Sequence, residues 1–220
     1  YTMTPNEITT VLAIALKKTF DTPFKLAMME RVTVWRSRLV KNSLDKTPAD
    51  RKFFRQTVYL SMSTVPQVPC DLPVDICDVA RSAIIPPPLR ANSILFDYVG
   101  AINGANPFKE LNPGTMAYYR SGRYSKNVTG YLYSGGKIEV YGNANLPMLR
   151  VDYIVDDPQD LASFACSPDL NQVCDFWNQE YPCSGDILQQ ILQFIVEVDF
   201  GKKEVVPEIS TVVNPENDIQ

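Results

Sequence analysis

The side chains able to do chemistry in this chain are few, and their spacing serves none of the familiar reactions. Asp152, Asp156, Asp157 and Asp160 form the densest carboxylate group. Facing carboxylates can hydrolyse a glycosidic bond, and several oxygens together can hold a divalent cation. The spacing matches no EF-hand, and Asp157-Pro158 reads as a strand end turning into a loop, with carboxylates capping the next segment. Cys70, Cys77, Cys166, Cys174 and Cys183 lack the paired short spacings of a zinc site. The chain has no histidine, so Ser–His and Cys–His nucleophile pairs are impossible, as is any imidazole base. An odd cysteine count without a recognisable signal peptide also argues against a disulfide framework.

The glycine stretches are equally bland. Gly100-Ala101-Ile102-Asn103-Gly104 lacks the third glycine and following helix of a dinucleotide fingerprint. Ser134-Gly135-Gly136-Lys137 has neither the length nor the hydroxyl of a phosphate loop, and a hairpin turn explains it. Asn127-Val128-Thr129 matches a glycosylation acceptor, a match without weight in a chain that shows no secretion signal. The residues imply no cofactor, no metal and no catalytic centre.

Charge is more informative. Net charge is −4, but residues 1–55 carry 11 basic and five acidic residues, a balance of +6. Residues 56–220 carry 10 basic and 20 acidic residues, a balance of −10. Such segregation suggests two surfaces with different partners. The acidic part is a poor grip for duplex DNA, though a suitable wall beside moving DNA. No apolar run approaches the ~18 residues of a membrane span.

The elements that carry these charges are punctuated clearly. Thr4-Pro5-Asn6-Glu7 is a capping box with proline at the first helical position, and Ile8, Val11, Leu12, Ala15 and Leu16 lie beyond it on one face. This predicts a helix over residues 5–19. Asp21 or Thr22 caps a second helix, over 23–44, and Thr47-Pro48-Ala49-Asp50 opens a short third one near 48–55. Alternation then begins at Thr57 and predicts strands at Val58–Met62, Val79–Ile85, Ile94–Ile102 and Met148–Val155. Pro66, Pro69 and Pro73 keep the chain irregular between them, and Gly114–Tyr124 reads as partly extended. Tyr131–Tyr133 and Ile138–Tyr141 form a hairpin, and Asn103-Gly104 marks a turn. A final helix starts after Ser184, buries Ile187, Leu188, Ile191, Leu192, Ile195 and Val196, and stops at Gly201.

The expected fold is therefore α+β: an N-terminal helical hairpin or bundle (1–56), a small central antiparallel β domain (57–165), a C-terminal loop and helix packing on the helical region (166–203), and an extended tail (204–220). Lys25, Arg31, Trp35, Arg36, Arg38 and Lys41 lie on the second helix, with Lys17 and Lys18 nearby. A solvated basic face is one reading. Arginines mixed with Phe24, Met28 and Trp35 favour another, a subunit interface, where Arg and Trp are enriched.

An ordered set of segments adds a family likeness. It comprises Ala83-Ile84-Ile85-Pro86-Pro87-Pro88-Leu89-Arg90, Phe96-Asp97-Tyr98-Val99-Gly100-Ala101-Ile102-Asn103-Gly104 and Gly130-Tyr131-Leu132-Tyr133. The strand into Asp157-Pro158, and Asp175-Phe176-Trp177 through Glu180-Tyr181-Pro182 into the last helix, complete it. Over residues 55–220 the chain resembles structural proteins of crAss-like and related tailed phages, and is similar to their head-to-tail connector adaptors. That resemblance implies a non-enzymatic virion protein, made in the host bacterial cytoplasm. It implies a homo-oligomeric ring, commonly a dodecamer, that meets the portal protein and the next tail ring. Genomic DNA would pass through its channel without sequence-specific binding, and no membrane would be involved. Alternatives are another tail ring, a tail terminator or collar protein, or a DNA-binding packaging accessory using the basic N-terminal helices. An enzyme with paired carboxylates is the least supported.

Overall fold

The computed structural model describes residues 3–47, 51–66, 78–90, 95–112, 114, 128–143, 145–165 and 175–201. The chain forms two compact units. One comprises Tyr1–Arg55, Leu89–Ser93 and Asp156–Gln220, and the other Gln56–Pro88 and Ile94–Val155.

The first unit is helical. Helix α1 (Pro5–Leu16) begins at a complete capping box: the Glu7 N–H donates to Thr4 Oγ1, and the Thr4 N–H to Glu7 Oε2. It ends at Leu16 rather than at residue 19, because Lys17 turns left-handed (φ 53°) and the Lys18 N–H closes back on Ala13 O. Helix α2 (Thr22–Lys46) is capped by Asp21, whose Oδ1 accepts the Phe24 N–H at 2.9 Å. Its buried stripe is Met28, Met29, Val32, Arg36, Val40 and Leu44, an i, i+4 ladder with an arginine at its centre.

Helix α3 is short (Arg51–Phe54). The expected cap, Thr47, closes α2 with its N–H on Ser43 O, and Pro48, Ala49 and Asp50 lie outside the described residues. After Asp157 the chain does not enter a loop but helix α4 (Pro158–Ala165), with Asp157 Oδ1 accepting the Gln159 N–H. The aspartate, proline and following acid repeat the pattern read in the sequence at Thr47-Pro48-Ala49-Asp50, so the signal is present and local.

Helix α5 (Gly185–Phe194) runs on as one π-helical turn, Ile195–Asp199, and Gly201 ends it at φ +62°. Ser184 stands at the expected cap, but its carbonyl rather than its hydroxyl makes the bond, accepting from Leu188 N–H. Leu188, Ile191, Leu192, Ile195 and Val196 are fully buried, in one core with Ile8, Leu12 and Leu16 of α1 and Val32 of α2.

The second unit is a seven-stranded sheet: β1 (Gln56–Pro66), β2 (Asp78–Ser82), β3 (Phe96–Gly100), β4 (Lys109–Glu110), β5 (Gly130–Ser134), β6 (Lys137–Tyr141) and β7 (Met148–Tyr153). Their order is β3-β7-β1-β2-β6-β5-β4. The long strand β1 changes partner midway. Gln56–Ser61 pair with β7, and Met62–Pro66 pair with β2. The β5–β6 hairpin turns at Gly135 and Gly136, both at positive φ, as a two-residue primed turn requires. All pairings are antiparallel, as expected, except β4 with β5, which is parallel.

This sheet curls until its ends meet. The Phe108 N–H donates to Val99 O of β3, Gly100 bridges Pro107, and the chain then continues directly into β4. Phe96 of β3 packs edge-on against Tyr131 and Tyr133 of β5 at 6.0 and 5.2 Å. The bridge between Gly100 and Pro107 shortens the unpaired strand edge, which otherwise invites indiscriminate pairing. The expectations for Pro69, Pro73, most of Gly114–Tyr124 and the tail at 204–220 concern residues outside those described.

Candidate assembly surface

The four carboxylates that invite a catalytic or metal reading each have a separate structural role. Asp152, in β7 of the sheet unit, is buried and takes a bidentate pair from Arg150 at 2.9 and 2.8 Å. Asp156 accepts the Ser37 hydroxyl at 2.8 Å. Asp157 caps α4, and burial is the main cause raising its carboxyl above the ordinary carboxylate value. Asp160 lies exposed in the first turn of α4, where a negative charge suits the helix dipole. Among the described residues no group of three or more His, Cys, Asp or Glu could hold a metal. Cys183 is free and buried, and its thiol is pushed up to about 11, chiefly by that burial. No helix among the described residues is long and apolar enough to cross a membrane.

The six residues singled out on α2 divide into three groups. Arg36 points inward and is fully buried. Its Nε donates to Pro182 O at 3.0 Å and its Nη1 to Asp156 O at 3.3 Å, while the guanidinium stands 5.9 Å from the Tyr181 ring centre. Its charge is thus withdrawn from any outer face, a position the residue type alone does not disclose. It holds the approach to α4 and the approach to α5 against the middle of α2.

Arg31 and Trp35 form the second group, both joined to the turn after α5. Arg31 Nη1 lies 3.0 Å from Asp199 Oδ2, and the Trp35 Nε1–H donates to the same oxygen at 3.2 Å. The Trp35 ring stacks on Phe194 at 5.1 Å, and Arg31 lies over Phe200 at 5.3 Å. Asp199, Phe194 and Phe200 are not legible as partners, because they lie far away along the chain and no spacing rule connects them.

Arg38 and Lys41 remain outward, together with Lys25 at the other end of the helix. Arg38 is exposed and covers the outer side of Trp35 at 5.3 Å; Lys41 is exposed. Lys25 Nζ donates to Asn6 Oδ1 at 3.2 Å and lies 4.1 Å from the Phe20 ring centre, bordering a surface hollow with Trp177 and Asp175. Between them Leu26 and Val34 stay 50% and 45% exposed, on a helix that has ample core to bury. Alternating cationic and aliphatic residues on an outward helical face have the composition of a protein contact, not of a reaction centre.

A comparison with curated proteins found no match. A family model described as phage tail ring protein 2 matches residues 28–219, which span most of α2, the whole sheet unit and the C-terminal helices. With the carboxylates committed to structure and an outward face suited to protein contact, that match completes the assignment. The chain belongs to the tail ring protein family of crAss-like phages, structural and non-enzymatic proteins of the virion.

Proposed function

We propose that this chain is an adaptor ring of the head-to-tail connector, seated below the portal and surrounding the channel through which genomic DNA passes. A ring of twelve copies, made in the host cytoplasm and joined to the portal above and another tail ring below, is the arrangement this reading favours. The outer face of α2, with Arg38 and Lys41 on it and Lys25, Arg31 and Trp35 at its borders, would meet a neighbouring subunit or the portal.

The observation that carries this reading is the distribution of charge. Cations gather along α2 and at Lys17 and Lys18 just before it, whereas no Lys or Arg occurs between Arg150 and Lys202. A subunit with a cationic side and a side without cations suits head-to-tail closure. It suits DNA binding less well. Arg36 is buried, Arg31 is bound to Asp199 and Lys25 to Asn6, so few of the α2 cations face outward for phosphate.

Negative-stain electron microscopy of the purified protein, alone and mixed with the phage portal, tests the proposal. Rings, or added density on the portal, support it and give the symmetry. Particles that ignore the portal but form rings with other tail components would assign the chain to a lower ring, a terminator or a collar.

A further inference from the structure

The exposed surface of the helical unit contains two stripes of opposite character. On α2, Leu26, Glu30, Val34, Arg38 and Lys41 recur at i, i+4, i+8, i+12 and i+15, which is one helical face, and all are exposed. On α5 and its π turn, Asp186, Gln190, Gln193 and Glu197 recur at i, i+4, i+7 and i+11. That second stripe has no cation. It carries amides and acids, and ends beside Val198, which is 61% exposed. The Gln193 amide already donates to Glu197, so the stripe is ordered by its own i, i+4 pair.

We propose that the outer α2 stripe of one copy docks on the outer α5 stripe of a second copy of this chain. Arg38 and Lys41 face Glu197 and the amides beside it, and Val34, one turn before Arg38, covers apolar surface around Val198. The inner faces of these same helices already meet within one subunit through Arg31 and Asp199, so the contact repeats between copies a pairing that works inside each. An α2-to-α2 contact would instead bring together two stripes that each carry two cations and one acid, Glu30, a net like-charge pairing. It would also be self-complementary, and would close at a dimer. The α2-to-α5 contact is heterologous, so each copy keeps one unused stripe for the next, and rotation closes the set into a ring. This inference rests on the ring reading above and specifies which surfaces form the ring.

The test uses the full chain with two reversed faces: Arg38→Glu with Lys41→Glu, and Gln190→Lys with Glu197→Lys. Sedimentation velocity follows self-association over a concentration series, with thermal melts to show that each variant is folded. The wild type should associate, less so at high salt. Each reversed variant alone should associate at least about tenfold more weakly, since reversal replaces attraction with repulsion. Mixing the two variants should restore association, because each retains the stripe the other lacks. Association unchanged by reversal, or a mixture no better than its components, overturns the pairing. So does a wild type that stays monomeric throughout the series. Rings that still form on the portal from reversed subunits would overturn the pairing while leaving the connector reading intact.

Discussion

Trp35 donates its indole N–H to Asp199 across 164 residues of sequence, and its ring lies flat against Phe194 in the last turn of α5. The same carboxylate oxygen receives Arg31. A π turn separates Phe194 from Asp199; Ile195 and Val196 enter the core and Asp199 reaches α2.

Replacing Trp35 should therefore cost fold stability as well as assembly. Trp35→Ala is expected to lower the unfolding free energy by about 2–3 kcal/mol, since the ring is half-buried rather than enclosed. Trp35→Phe keeps the stacking and loses only the hydrogen bond, about 1 kcal/mol. Urea melts followed by circular dichroism would measure both, and equal losses would show that stacking on Phe194 contributes little.

Arg36 should be the least replaceable charge on α2. Arg36→Met keeps the apolar stem but leaves the Pro182 and Asp156 carbonyls without their donor, at a cost of about 2–4 kcal/mol. Arg36→Lys should recover little, because one ammonium cannot reach two divergent carbonyls as a planar fork does. A lysine variant as stable as the wild type would sink this account.

Stability should decline at alkaline pH. Burial raises Cys183 from 9.0 to about 11 and Tyr181 from 10.0 to about 12. Between those values the unfolded chain has released protons that the folded chain still holds, so the folded state loses ground as pH rises. The window opens near pH 9 with Cys183 and extends to about 12 with Tyr181. Cys183→Ala should flatten the part between pH 9 and 11, measured as the shift in urea midpoint from about pH 8.5 to about pH 10.5. An unchanged slope would assign the decline to other groups.

Gly100 should be intolerant of any side chain. A Cβ there would lie 2.3 Å from Asn106 O and 2.6 Å from the Tyr98 hydroxyl, where the curled sheet closes. Gly100→Ala is expected to open that seam, and amide exchange at Ala101 and Phe108 should speed up together. Protection retained at both positions would mean the closure is more tolerant than its spacing implies.

Local signals are legible in the sequence because they are settled by neighbours a few residues apart. The Thr4–Glu7 capping box, the Asp21 cap and the tight turn at Gly135 and Gly136 all belong here. Helix α4 escapes such a reading although Asp157, Pro158 and Asp160 announce it, because the same residues also fit a strand end. The features that stay hidden depend on distant partners. Arg36 and Arg38 are two residues apart and alike in type, yet one is buried under Pro182 and the other lies outside Trp35. The parallel β4–β5 pair involves only two residues of β4, too few for any periodicity. Composition alone draws attention to the α2 face, but which of its cations point outward is decided by the opposing carbonyls and Asp199.

The helical unit takes residues from both ends of the chain, whereas the sheet is drawn almost wholly from the middle. On a ribosome this imposes an order of events. The sheet has all its strands once Tyr153 has emerged, while α1 and α2 wait, apolar faces uncovered, until Val196 arrives. A polypeptide cut short by premature termination thus never acquires Asp199 or the stripe on α5. On the pairing proposed above, such a copy would lack one of the two surfaces that a ring needs.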